Sequence, residues 1–273
     1  HGTSVFSVIG SNVPGSMVGV APGADFLLAK TEISCNGTEI KIEEYNWVAA
    51  YEWADALGAD IINSSVGYAV FTDSGSYTFE DLDGNTTMIT NFADMAASKN
   101  ILVVNSAGNE RNKTWQHIIA PADGDSVMAV GAVNIDSTYA AFSSPGPTAD
   151  GRIKPDITTL GVGVAAAWHQ GGYVSVNGTA YSAPLTSGAA ALALERDPTL
   201  TAFELLERIR QTGDRADNPD NDYGWGLLDA ARAADLFIAL DLPPKIQMRH
   251  DESVELNPAV TGWDGPTPSL AGV

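Results

Sequence analysis

The chain reads as an α/β protein, a three-layer sandwich in which a mostly parallel sheet is covered by helices on both faces. Short, nearly continuous apolar runs alternate along it with segments of helical spacing. Strands buried on both faces lose the in-out alternation of a half-exposed sheet, and parallel neighbours need helical crossovers between them. A length of 273 residues accommodates one large core with a tail.

The elements follow in order. Asp25–Lys30 is expected as a strand, and Glu43–Leu57 as a helix with Trp47, Val48, Tyr51, Ala54 and Leu57 on one face. Asp60–Ser65 is the next strand, Thr90–Asn100 a helix, Ile101–Asn105 a strand and Ser126–Val133 another. Pro184–Glu195 is small and apolar throughout, which suits a buried helix. Beyond Leu240 the texture turns to Pro, Asp, Glu and Gly around Pro243-Pro244, so residues 1–240 are expected to form the domain and 241–273 an extension or linker. The polar stretch between Gly67 and Thr90 is long for a single connection and is expected to rim a functional face.

Charge narrows the partners. With 34 acidic against 14 basic side chains the formal net charge is -20, which disfavours nucleic acid and anionic membrane surfaces. No apolar run approaches the length of a membrane span. Such acidity suits a secreted, cell-surface or salt-adapted protein. Cys35 is the lone cysteine, so the chain has no internal disulfide and no cysteine-based zinc cluster. Asp81, Asp83 and Asn85 alternate as calcium ligands do, but their glycine is displaced and no closing acid follows, which reads as a solvated acidic turn. The loop Gly10–Gly15 offers a cation only Asn12 and carbonyl oxygens, so a structural Ca²⁺ stays open and the metal ligands unassigned. Of five Asn-x-Ser/Thr triplets, at Asn36, Asn63, Asn85, Asn112 and Asn177, those at Asn63 and Asn177 lie in segments with no room for a glycan.

Five segments carry chemistry. His1-Gly2-Thr3 opens the chain, Asn105-Ser-Ala-Gly-Asn109 follows a strand, and Phe142-Ser-Ser-x-Gly-Pro147, Lys154-Pro155-Asp156 and Asn177-Gly178-Thr179-Ala180-Tyr181-Ser182-Ala183-Pro184 come later. In this order they resemble the subtilisin-like serine proteases, the subtilases, over about residues 1–240. The last segment is similar to that family's nucleophile motif with Ala180 where the attacking serine belongs. A methyl group has no lone pair to attack a carbonyl, so the chain is expected to bind a substrate without cleaving it.

The resemblance implies a role for each position. His1 matches the general base, Asn109 the side-chain donor of the oxyanion hole, and the N–H of residue 180 its second donor. Ser65-Val66-Gly67 matches the edge that pairs with an extended substrate. Together with Ser106-Ala107-Gly108 it is expected to wall the subsite for the residue before the scissile bond, with Ile119 near its base and an apolar or small side chain as occupant. The triad aspartate has no counterpart after His1, because Asp73-Ser-Gly75 lies inside the long loop. The expectation is therefore a subtilisin-like fold lacking its N-terminal strand, with the aspartate delivered by an upstream segment, a propeptide or a separate chain. The function implied is a secreted serine endopeptidase acting on peptides or proteins without a catalytic cofactor. The alternatives are a pseudoprotease that binds peptides or partner proteins without cleavage and, more remotely, an interaction or folding module of a larger assembly.

Overall fold

Side chains along the central strands alternate between two apolar layers, and that alternation defines the sandwich. In the computed structural model, β3 (Ile61–Ser64), β4 (Leu102–Ser106), β5 (Met128–Val133) and β6 (Ile157–Leu160) form one sheet in sequential order, every pair parallel. Val103 and Ala129 pack with Trp47, Tyr51, Ile89, Ala93 and Ala96 of α2 (Ile42–Ala56) and α3 (Met88–Ser98). Their neighbours Leu102, Val104, Met128 and Val130 turn the other way, onto Ala183, Ala190 and Ala193 of α4 (Thr179–Arg196) and Leu205, Leu206 and Ile209 of α5 (Ala202–Thr212). The structure describes residues 1–33 and 38–235, which form one compact unit, His1–Asp235. Cys35, Asn36 and the boundary expected after residue 240 lie outside the described residues.

The site is framed by elements around this sheet. Helix α1 (Gly2–Gly10) begins at His1 and packs through Val8 against Val164 and Ala166 of β7 (Val164–Ala167). That strand pairs antiparallel with β8 (Tyr173–Val176), which leads into α4. The Gly10–Gly15 segment is more than a loop: β1 (Asn12–Val13) pairs with β2 (Met17–Val18) in a small hairpin.

Three expectations need correction. Asp25–Lys30 joins no sheet, because a strand requires a neighbour, and a groove separates this segment from β3. Leu57 is exposed as the C-cap of α2, one residue past the helix whose buried face Trp47, Tyr51 and Ala54 supply. The helix expected from Pro184 begins at Thr179. Pro184 has no N–H to give the carbonyl four residues back, and that carbonyl, Ala180 O, instead accepts a hydrogen bond from Ser65 Oγ at 2.7 Å.

The acidic turn is self-contained. Asp83 accepts from Asn85 N and Thr86 N at 2.8 and 2.7 Å, and Asp81 Oδ2 accepts from Thr78 N at 2.7 Å. Of the two triplets expected to leave no room for a glycan, Asn63 is half-buried, its Oδ1 accepting from Ser187 Oγ at 2.9 Å, whereas Asn177 is exposed.

Candidate active site

Ala180 occupies the second position of α4, just past the N-cap Gly178, whose φ of 145° suits glycine. The first N–H groups of a helix have no acceptor within it. Asn109 Oδ1 accepts from Thr179 N at 3.0 Å and from Thr179 Oγ1 at 3.1 Å, and Gly178 O accepts from Tyr181 N at 3.0 Å. The Ala180 N–H projects from the same turn with no acceptor in the helix. Pinning Asn109 by its oxygen leaves its Nδ2 as the outward donor, 3.5 Å from where a Cβ on Gly178 would stand. One side-chain N–H donor, on Asn109, thus sits against the turn that carries the Ala180 N–H, at the positive end of an 18-residue helix.

The Phe142–Pro147 motif braces this turn, and the Lys154–Asp156 motif serves elsewhere. Ser144 N donates to Gly108 O at 2.9 Å, and Ser144 Oγ accepts from Glu110 N at 3.0 Å, so the Phe142–Pro147 segment clamps both sides of Asn109. Ser143 Oγ accepts from Ala132 N at 2.9 Å. Asp156 is wholly buried, accepting from Ala129 N at 2.6 Å and Lys154 Nζ at 2.8 Å and pairing with Arg210. Burial would raise its pKa, but the Lys154 and Arg210 charges and hydrogen bonds hold it below the usual carboxylate range. This cluster fixes β5 against β6 and lies in the scaffold.

His1 reaches the site from the N-terminus of α1. Its exposed ring stands edge-on to Tyr181, the residue after Ala180, with centroids 5.9 Å apart. Among the described residues, none of the ion pairs involves His1.

Ser65, Val66 and Gly67 follow directly after the β3–β4 ladder ends at Ser64↔Asn105, and Tyr68 then pairs with Ala120 at 2.8 and 3.0 Å. These three residues are partly exposed, whereas Ser106, Ala107 and Gly108 are buried, Ser106 still in register with Val130 of β5. The thread Ile118–Ala120 runs between the two strand ends. The motifs contained Ser65 and Thr179 without showing what their hydroxyls bond: Thr179 Oγ1 holds Asn109 and accepts from Gly108 N at 3.2 Å, and Ser65 Oγ donates to Ala180 O. Their signal was membership of those motifs, which does not specify a partner.

A groove of about 1170 Å³ runs along the outer edge of β3. It is bounded by residues 24–29 on one side and 59–66 on the other, with Trp47 and Tyr51 of α2, Ala191 and Leu194 of α4, and His1 and Val5 among its lining.

The model of the subtilase family (peptidase S8) matches residues 1–226. The chain belongs to the subtilases, a family of serine proteases. It is 34% identical over 238 residues to subtilisin DY of Bacillus licheniformis, covering 86% of this chain and 77% of that one. To subtilisin E of Bacillus subtilis it is 32% identical over 237 residues, covering 86% of this chain but 55% of the relative. Among solved structures, the self-cleaved protease domain of PatA superposes with a TM-score of 0.68 at 25% identity, covering 86% and 82% of the two chains. MycP1 with its N-terminal propeptide removed gives 0.69 at 24%, covering 88% and 80%, a likeness of fold. Among the described residues of this subtilase, no helix is long and apolar enough to cross a membrane.

Proposed function

We propose that this chain is the catalytic domain of a secreted subtilisin-like serine endopeptidase, with alanine at the position of the nucleophile. The observation that supports the reading is the turn at the start of α4, where Asn109 is bonded to Thr179, the residue before Ala180, and the His1 ring stands against Tyr181, the residue after it. With a serine there, its Oγ attacks the scissile carbonyl while the imidazole takes the hydroxyl proton and returns it to the leaving amine. Water then repeats the cycle on the acyl-enzyme. The oxyanion forms where the Asn109 and residue 180 donors converge, and the chemistry uses no cofactor.

His1 needs a carboxylate to fix its tautomer. The groove supports its source. β3 is the outer strand of the four-stranded sheet, its free edge is the kind natural sheets cover, and His1 is among the residues lining the groove beside it. We assign the groove to an extended, aspartate-bearing strand from an N-terminal segment or another polypeptide, which adds to β3 and brings the carboxylate to the ring.

The test is the Ala180→Ser variant, prepared with that strand and assayed with denatured casein and a fluorophosphonate probe. Labelling and hydrolysis are expected. A folded variant that binds peptide but neither labels nor cleaves overturns the endopeptidase reading. The peptide-binding reading, which Ala180 itself favours, then takes its place.

A further inference from the structure

Side chains alternate along β3 and its continuation. Ile62 and Ser64 face α2, the first packing in that layer and the second accepting from Trp47 Nε1 at 3.0 Å. Ile61, Asn63 and Ser65 therefore face α4, where Ile61 joins the apolar layer. On β4 and β5 that face carries Leu102, Val104, Met128 and Val130, so an amide and a hydroxyl in the same layer need partners to offset their desolvation. They find them in a circuit that begins and ends on α4. Ser187 Oγ donates to Asn63 Oδ1 at 2.9 Å, Asn63 Nδ2 donates to Ser65 Oγ at 3.1 Å, and Ser65 Oγ donates to Ala180 O at 2.7 Å. Ser187 is buried, and its longer bond, 3.1 Å to Ala183 O, ties it to its own helix. Each bond polarises the next.

The direction of these bonds decides what the circuit does. Because Asn63 turns its N–H₂ to Ser65 Oγ, the hydroxyl proton is left for Ala180 O. With the amide reversed, its oxygen would draw that proton to itself. Ala180 O needs this donor, since Pro184 cannot supply the helical one and a proline ring crowds the carbonyl four residues back. The carbonyl carbon of residue 180 is bonded to the α-carbon that bears the side chain at the nucleophile position, so a carbonyl free to swing lets that side chain turn. We infer that Asn63 and Ser65 are positioning residues for the hydrolytic reaction, aiming the residue 180 side chain by holding its carbonyl oxygen. The inference rests on the endopeptidase reading for its kinetic form, and on the first turn of α4 alone for its structural form. A misplacement of about 1 Å at a reacting group costs on the order of 100-fold in rate.

The experiment uses two forms of the full chain. In Ala180→Ser enzyme supplied with the carboxylate-bearing strand, Ser65→Ala should lower kcat by about 10–100-fold and leave KM within about threefold, because a peptide pairs with this edge through its main chain. Asn63→Asp keeps the shape of the side chain but cannot donate, and it draws the Ser65 proton away from Ala180 O, so it should lower kcat by about tenfold or more. Ser65→Thr, which keeps the hydroxyl, should restore most of the rate. In the Ala180 form, amide exchange of Tyr181 to Ala183, followed by NMR, should quicken by about tenfold in Ser65→Ala and Asn63→Asp and stay near the parent in Ser65→Thr. If the Ala180→Ser parent is inert, the endopeptidase reading falls and exchange alone decides: faster exchange upholds the held turn, and unchanged exchange overturns it. With an active parent, unchanged kcat in Ser65→Ala or Asn63→Asp overturns the inference. So does a loss carried by KM, or an equal loss in Ser65→Ala and Ser65→Thr, which would mark packing rather than the hydroxyl.

Discussion

Replacing Thr179 by valine would test whether Asn109 is a positioned donor or an incidental neighbour. Threonine and valine have nearly the same shape, and this side chain is 1% exposed, so the substitution deletes hydrogen bonds while preserving volume. Two bonds go: Oγ1 to Asn109 Oδ1 at 3.1 Å, and Gly108 N to Oγ1 at 3.2 Å. The second loss leaves a buried backbone donor without its acceptor, at about 1–3 kcal/mol, and the first adds about 1 kcal/mol. A stability loss of about 2–4 kcal/mol should appear in urea denaturation of the Ala180 form. Asn109 keeps its bond from Thr179 N at 3.0 Å, so in the Ala180→Ser background it is loosened rather than freed. We expect kcat to fall about tenfold, or ~1.4 kcal/mol of barrier, with KM nearly constant. Thr179→Ser, which keeps the hydroxyl, should restore most of both. Removing the donor outright with Asn109→Leu should cost about 10²–10³ in kcat, a magnitude measured on a subtilisin and carried over from there. If Thr179→Val is destabilised but turns over normally, or if Asn109→Leu raises KM with kcat intact, Asn109 is a binding or structural residue.

Two further outcomes concern the scaffold. Asp156→Asn strips Lys154, itself 1% exposed, of its countercharge and should cost about 3–5 kcal/mol in denaturant titration. Lys154→Met should cost less, because Arg210 and Ala129 N still satisfy the carboxylate; the reverse order would show that Arg210 contributes little. At Glu39, burial first and then the Glu32 and Glu43 charges push the pKa from 4.5 up to about 8. The three carboxylates lie within 4.8 Å of one another, and Tyr68 donates to Glu32 at 2.7 Å. The folded state thus holds a proton that the unfolded state releases, so this contribution to stability is complete below pH 4.5 and lost as pH rises through about 8. Glu39→Gln should flatten the decline of Tm across that window, and an unchanged slope would exclude the cluster as its source.

The fold class was legible because a sheet buried on both faces has little choice of residues. Leu102–Val104 and Met128–Val130 are apolar without a break, and the helix spacing of Trp47, Tyr51 and Ala54 announces the layer above them. The motifs holding His1, Asn109 and Ala180 stood out for a different reason: each has glycine or small residues beside the candidate group, and the fold brings the three segments close together. The hairpin of β7 and β8 was not anticipated, since four-residue strands with a partly exposed pattern carry almost no periodic signal.

Other features depend on neighbours that no local window contains. Asp25–Lys30 has strand composition, yet a ladder is a property of two segments, and the groove beside β3 denies it a partner. Ser65 Oγ finds Ala180 O across 115 residues only because Pro184 leaves that carbonyl without its helical donor. Ile119 lies against Gly67 and Gly108 only because the fold brings both to it. Composition and spacing therefore determined the layers and the identity of the chemical groups, because burial and turn geometry constrain residues locally. Tertiary structure decided which groups meet and how much room is left between them, because contact and volume belong to pairs of segments far apart in the chain.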